Sequence, residues 1–347
     1  MRLRRADPSA PGITRRRAGK GFIYFAPDGR RITDAATRER IEALVIPPAW
    51  EDVWISPWEN GHLQATGLDA AGRRQYLYHA EWRIRQDRQK FADMGRFGRA
   101  LPRLRERVRA DLKDRHGLTR ERVLACAVRL LDTGFFRVGS EDYALRNETF
   151  GLATMRKEHV TVRRDGTMVF KYASKHGKRQ VHGIVDRATV DIVSRLKRRR
   201  GGSPELLAYK EGRVWRDVKS ADINAYVREA TGEDFTAKDF RTWNATVLAA
   251  IAVSVALEVA DSPAKRKRAI ARAVSEVALY LGNTPAVARA SYIDPRVFDA
   301  YNVGRVIAPE LLAGVDGMPH HDPDVQAAVL DLIDEAPSPE VAARVAA

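Results

Sequence analysis

The stretch Leu281–Arg296 reads LGNTPAVARASYIDPR. It follows a long helical pattern. Gly282 and Pro285 mark the end of one helix and the start of a second, short one. Tyr292 falls near the end of that short helix, with Ser291 before it and Asn283 upstream across the Thr284-Pro285 break. A tyrosine near a helix end is ordinarily packing. What gives this one a second reading is the set of basic residues elsewhere in the chain.

The chain has 347 residues, which suits two domains. Hydrophobic residues make up 44% of it, enough for real cores. Its formal net charge is +15, and a protein this basic ordinarily has a polyanionic partner, nucleic acid before an anionic membrane surface. The charge is unevenly placed. From Val303 to Ala347 two arginines stand against eight acids, a net of −6, so the first 302 residues carry +21. One cysteine, Cys126, lies in an apolar helical run and is read as core filling; no internal disulfide can form. One cysteine and eight scattered histidines give no zinc spacing, and His320-His321, in a loop rich in Pro and Asp, reads as a flexible surface pair. No cofactor or metal is expected. Ala245–Leu257 is apolar but too short to span a bilayer, and no apolar core follows the basic N-terminus, as a signal peptide requires. The expected location is the cytoplasm, on the nucleoid.

Residues 1–21 carry seven basic residues and one acid, broken by Pro8, Pro11, Gly12 and Gly19, and read as a flexible basic arm. Residues 22–93 read as a small strand-rich domain. Phe22–Phe25 is a strand, Pro27-Asp28-Gly29 a turn, and Thr33 the cap of a short helix that ends before Pro47-Pro48. Val53–Ile55, His62–Thr66 and Arg73–Tyr78 follow as strands. In the last, Gln75 and Leu77 share one face and Tyr76 and Tyr78 the other. Aromatics, an amide and arginines together suit base edges in a DNA groove. The boundary is placed near Asp93–Gly98. Residues 94–347 read as mainly helical, with Leu104, Val108 and Leu112 forming one apolar stripe and a helix capped by Thr119 and ended by Gly134. The period changes at 159–183, where Val160, Val162, then Asp165-Gly166, then Met168, Phe170 and Tyr172 predict a β-hairpin. Its neighbouring turn, Ser174–Arg179, is crowded with positive charge. Helices resume over Ala188–Arg200, Ser220–Thr231, Ala237–Val259 and Pro263–Leu281. The expected fold is α+β: a strand-rich N-terminal domain and a mainly helical catalytic domain with an inserted small sheet and an acidic end, 303–347.

Five residues can serve one reaction: Tyr292, Arg137, Lys175, Arg241 and Asn283. Attack on a phosphodiester builds negative charge on its non-bridging oxygens. Two guanidiniums can hold those oxygens with fixed donor forks. A lysine at a hairpin tip can protonate a leaving 5′ oxygen. A tyrosine serves as nucleophile because its phenolate, with a reference pKa of about 10, is also a tolerable leaving group. Cleavage and resealing then need neither ATP nor metal. Asn283 can donate one more hydrogen bond. The sequence has no phosphate-binding glycine loop and no paired acids at metal spacing.

Four segments in order resemble the type IB DNA topoisomerases, in the compact form of poxviruses and bacteria. Phe136–Ala144 resembles the segment of the first catalytic arginine and Phe170–Arg179 the hairpin of the general-acid lysine. Lys238–Trp243 resembles the box of the second arginine, and Gly282–Tyr292 the end of the catalytic domain with its nucleophile. The likeness runs from about Gly21 to about Tyr301. It implies the tyrosine recombinase/type IB topoisomerase catalytic fold. It also implies that Tyr292 attacks one strand, forms a 3′-phosphotyrosyl link, lets the nicked duplex rotate and reseals it, relaxing positive and negative supercoils. The protein would be a monomeric clamp on duplex DNA with no obligate protein partner. The resemblance matches the lysine to Lys175, with Lys178 as rival and Lys171 less suited because it falls within the strand. It implies DNA contacts from Gln75, Tyr76 and Tyr78, beside Arg73, with Tyr143 and Lys238 near the scissile phosphate. The viral enzymes carry histidine where this chain has Asn283, a neutral donor. A tyrosine recombinase or integrase is the alternative. Its second box reads His-x-x-Arg, whereas Lys238 stands three before Arg241 here, and its N-terminal module is helical.

Overall fold

The computed structural model describes the chain except residues 115, 142–143, 146–147, 175–176, 258–261, 314–317 and 337–347. Two compact units divide it, Met1–Phe91 and Ala92–Ala347.

The first unit is a five-stranded antiparallel sheet in the order β2-β1-β3-β4-β5, made of β1 (Ile13–Ala18), β2 (Gly21–Phe25), β3 (Glu51–Ile55), β4 (Leu63–Leu68) and β5 (Arg74–Tyr78). Helix α1 (Ala35–Ala43) adds Ile41 to a core of Ile13, Val53, Ile55 and Ala65. Segment 1–21 is therefore not a flexible arm, since it contains a strand of the sheet. Gly19, at φ 59°, turns β1 into β2 so that Ala18 faces Gly21; a two-residue hairpin turn needs that left-handed position. The strand is hard to see in sequence because Arg15 is half-buried. Its guanidinium lies 4.1 Å from the Phe22 ring centre and donates to the carbonyls of Ile46, Pro47 and Trp50. The cap of α1 is Asp34, not Thr33: the Asp34 carboxylate accepts from the Thr37 amide at 2.7 Å.

Helix α2 (Ala80–Lys113) is one element of 34 residues. It runs through Asp93–Gly98, where the sequence places the domain boundary, and the two units divide between Phe91 and Ala92. Gly98 is a packing position within it. A Cβ there would lie 2.6 Å from Trp243 and 2.9 Å from Leu330. Gly98→Ala gains helix propensity, yet it is expected to lower stability by about 1–3 kcal/mol through overpacking. A fall in Tm checks this; a rise would show that the glycine is merely a weak helix residue.

The second unit continues with α3 (Arg120–Gly134), the small antiparallel sheet β6 (Val160–Val162), β7 (Met168–Ala173) and β8 (Arg179–Ile184), and α4 (Val190–Arg198). A hairpin the sequence reading does not contain follows, β9 (Ala208–Glu211) and β10 (Val214–Asp217). Its strands have four residues each, too few for alternation to stand out. Then come α5 (Ser220–Thr231), α6 (Ala237–Ala256), α7 (Pro263–Leu281), α8 (Pro285–Ser291), α9 (Pro295–Asn302) and α10 (Pro323–Asp334). Helix α6 is buried along most of its length and packs against α3, α5, α7, α9 and α10, as an apolar all-round helix must. Trp243 and Cys126 are core, as read from the sequence. The acidic end contributes to the fold: α10 buries Val325, Val329, Leu332 and Ile333, and Asp334 pairs with Arg99. Among the described residues no helix is long and apolar enough to cross a membrane, and no group of His, Cys, Asp or Glu is arranged to hold a metal.

His320 and His321 are not a surface pair. His320 is 5% exposed and stands 5.1 Å from the Phe135 ring; His321 Nδ1 is 3.8 Å from the Asp132 carboxylate. Burial, then the neighbouring His321, pushes His320 down to about 3, against the pull of Asp132. The folded state therefore holds this ring neutral while the unfolded chain protonates it near its usual value of about 6.5. Its stabilising effect is intact above that pH and falls away toward pH 3, with on the order of 2 kcal/mol lost by pH 5. Unfolding midpoints at pH 7 and pH 5 should drop less in His320→Gln than in the parent chain.

Candidate active site

Four stretches of the second unit line one cavity of about 390 Å3, among them Arg137, Gly139, Thr149, Lys238, Arg241 and Tyr292. The first stretch is the exit of α3. Phe135 takes the left-handed conformation at φ 56°, and Phe136 is buried against Phe170 with ring centres 4.9 Å apart. The next side chain, Arg137, is left half-buried at the cavity wall. Amides of Leu152 and Ala153 hold this passage by donating to the carbonyls of Arg137 and Val138 at 2.8 and 2.7 Å.

The second stretch is the first turn and a half of α6. Thr236 caps it, its amide donating to Asp239 at 2.8 Å. Arg241 is 3% exposed; it donates to the carbonyl of Phe135 and, at 2.9 Å, to that of Leu281. One side chain thus ties the end of α3 to the end of α7. Burial first, then the charge of Arg137, lowers Arg241 to about 10, which leaves it cationic at neutral pH. Arg241 Nε and Thr149 Oγ1 are buried without a hydrogen-bond partner, and both residues line the cavity. An unpaired buried polar atom costs about 1–3 kcal/mol, so these two atoms suit an acceptor-rich ligand such as a phosphate.

The third stretch is Gly282–Tyr292. Gly282 ends α7 at φ 63°, and a Cβ there would lie 2.3 Å from the Gln180 amide. Thr284 caps α8 by accepting from the Val287 amide at 3.3 Å, with Pro285 in the first turn. Tyr292 closes the helix, its amide donating to Ala288 at 3.0 Å. Behind it Thr246 Oγ1 accepts from the Asp294 amide at 3.1 Å. The Arg241 guanidinium lies 5.2 Å from the Tyr292 ring centre, and Arg137 donates to Asn283 Oδ1. Burial alone would raise the Tyr292 phenol. The charges of Arg241 and Arg137, with polar contacts from Arg241 and Asn283, outweigh it and hold the phenol below its usual value. Tyr172 is the contrast: there burial wins and the phenol rises to about 12.

Tyr292, Arg137, Arg241 and Asn283 are therefore brought together, with Lys238 exposed at the cavity edge. Lys175 and Tyr143 lie outside the described residues. Of the rival lysines, Lys171 is on β7 and Lys178 is at the hairpin turn, where its carbonyl accepts from the Ser174 amide at 2.8 Å. In the first unit β5 alternates as expected. Tyr76 and Tyr78 are exposed, with rings stacked 6.1 Å apart. Gln75 and Leu77 are on the half-buried face, where Leu77 packs on the core and Gln75 donates to Asp69 at 2.9 Å. Arg73 also pairs with Asp69, at 2.7 Å. By register the arginine that shares the tyrosine face is Arg74, not Arg73. Thr149 and Gln180 were invisible in the sequence, since no local pattern marks them.

A family model described as the catalytic core of eukaryotic DNA topoisomerase I matches residues 79–302, and one for the N-terminal domain of bacterial DNA topoisomerase IB matches residues 21–69. The chain belongs to the type IB DNA topoisomerase family. DNA topoisomerase 1B of Acanthamoeba polyphaga mimivirus is 30% identical over 298 residues, covering 84% of this chain and 87% of the viral one. DNA topoisomerase 1B of Vaccinia virus (strain Copenhagen) is 24% identical over 296 residues, covering 79% and 88%. DNA topoisomerase 1 of Schizosaccharomyces pombe is 32% identical over 145 residues, 41% of this chain and 16% of that one. This type IB topoisomerase is thus an enzyme acting on DNA. The core match contains every residue of the cavity, whereas β5 falls between the two matched segments.

Proposed function

We propose that the chain relaxes positively and negatively supercoiled duplex DNA by cutting and resealing one strand through a 3′-phosphotyrosyl intermediate at Tyr292. The observation that carries this reading is a phenol with a lowered pKa sharing one cavity with two guanidiniums, one of which keeps a buried unpaired Nε. The scissile phosphate is held by Arg137 and Arg241, whose forks match its non-bridging oxygens. Thr149 and Asn283 add neutral donors. The Tyr292 oxygen attacks phosphorus, the bond to the 5′ oxygen breaks, and that oxygen takes a proton from Lys175, with Lys178 as the rival. After rotation the 5′-hydroxyl attacks in turn and the tyrosine leaves. One phosphodiester is exchanged for another at each step, so neither ATP nor metal is required.

On the first unit Tyr76, Tyr78 and Arg74 contact the DNA, with Arg73; Gln75 joins them only by giving up its bond to Asp69. Lys238 and Tyr143 contact the backbone near the cut. A single chain carries the nucleophile, both arginines and the lysine, which supports action as a monomer on the cell's own DNA. Tyr76→Ala with Tyr78→Ala is expected to weaken duplex binding about 10-fold, as loss of about 1–3 kcal/mol of groove contact implies, while Gln75→Ala weakens it less. A binding titration at fixed salt checks the order.

The deciding experiment uses supercoiled plasmid, EDTA and no ATP, followed by denaturation. Relaxed topoisomers and protein linked to the 3′ side of a nick are expected. A magnesium requirement, or strand exchange between duplexes without relaxation, would reject this reading in favour of a recombinase.

A further inference from the structure

Where the C-terminal end of α2, the first turn of α3 and the passage from β8 into α4 come together, a recess of about 970 Å3 is lined by Arg109, Lys113, Arg122, Arg187, Asp191 and Arg195. None of these residues lines the Tyr292 cavity. Five cations here face one carboxylate. That carboxylate, Asp191, stands 3.9 Å from both Arg122 and Arg195, at the limit of ion pairing. Among the described residues, Lys113 and Arg187 have no carboxylate within ion-pair reach. Arg122 is 7% exposed; it donates to the Gly117 carbonyl at 2.8 Å, and its Nε is buried without a partner. Like charges crowded into a recess repel one another, and a concave wall of one sign focuses its field on an incoming counter-ion. Among the described residues one carboxylate at the limit of pairing offsets five cations, so the arrangement costs folding energy.

We propose that this recess binds a chain of phosphates, either an inorganic oligophosphate or the triphosphate tail of a nucleotide. Arginine forks and a lysine point charge are the groups that recognise such anions. A chain of linked phosphates can meet several of these cations at once, which a single orthophosphate cannot. As the phosphates enter, Arg122 and Arg195 exchange the distant Asp191 for closer oxygens.

The test titrates the full-length chain with inorganic tripolyphosphate by calorimetry, at moderate salt. It is repeated with the nucleoside triphosphate ATP, with orthophosphate, and with the chain pre-saturated by a short duplex. One tripolyphosphate per chain is expected, bound with or without duplex, and orthophosphate should bind far more weakly. Lys113→Glu with Arg187→Glu, both exposed positions, should weaken tripolyphosphate about 10-fold or more, leaving plasmid relaxation without oligophosphate within about 2-fold. ATP binding as tightly as tripolyphosphate identifies the triphosphate tail as sufficient; weaker ATP binding identifies the inorganic chain. Unchanged affinity in the double variant overturns the proposal. So does displacement of tripolyphosphate by stoichiometric duplex, or an equal loss of duplex affinity in the variant, since either puts the anion on the DNA track.

Discussion

Tyr292→Phe is expected to abolish both plasmid relaxation and the denaturation-resistant DNA adduct, while duplex affinity stays within about 3-fold. The ring is what packs near the Arg241 guanidinium, at 5.2 Å, and phenylalanine keeps it. Only the oxygen is lost, and with it the atom proposed to form the covalent link. Without that link a cut strand has no stored ester to reverse, so resealing is lost together with cutting. Tyr280→Phe is the matched control: Tyr280 is 57% exposed on α7 and outside the cavity, and its variant should relax plasmid at the parent rate. An adduct that survives in Tyr292→Phe would place the nucleophile elsewhere.

Arg241→Ala should slow strand cleavage about 100- to 1,000-fold, the usual loss when one fixed donor to a developing oxyanion is removed. A second consequence separates chemistry from architecture. Burial pushes the Tyr292 phenol up, and it is the arginine charges and polar contacts that bring it below its usual value. Remove one guanidinium and burial gains, so the phenol rises. Less phenolate is then present at a given pH, and the cleavage-rate profile should shift to higher pH. Arg241→Lys keeps a charge but loses the fork; it should lose most of the rate with a smaller alkaline shift. Both variants also leave the carbonyls of Phe135 and Leu281 short of a donor, so Tm should fall in each. A rate loss with an unmoved pH profile would assign Arg241 to holding the helix ends together rather than to the phenol.

The corner around Tyr292 was readable residue by residue. A left-handed glycine, a threonine cap and a first-turn proline are local features, and they ended α7 and started α8 where the order Gly282, Thr284, Pro285 says they should. The hairpin β6–β7 was equally legible, because alternation and an Asp-Gly turn act within a few residues. The four candidate segments came from their resemblance to the type IB topoisomerases rather than from local pattern, and three of them, those of Arg137, Arg241 and Tyr292, reach the cavity. β1 was hidden by an arginine in a half-buried strand position, whose carbonyl partners lie 31 to 35 residues away. The packing role of Gly98 has no local sign, because the indole that needs its missing Cβ comes from Trp243.

Residue order alone therefore settled the end of α7 and the start of α8, the β6–β7 hairpin and the chemical groups on offer, all of which depend on neighbours within a turn or two. It could not settle which groups share a cavity. Arg241 bridges Phe135 and Leu281 across 106 and 40 residues, and the low phenol of Tyr292 results from two cations on other segments working against its own burial. Desolvation and charge depend on distance in space, and only the folded chain brings those distances down to a few ångströms.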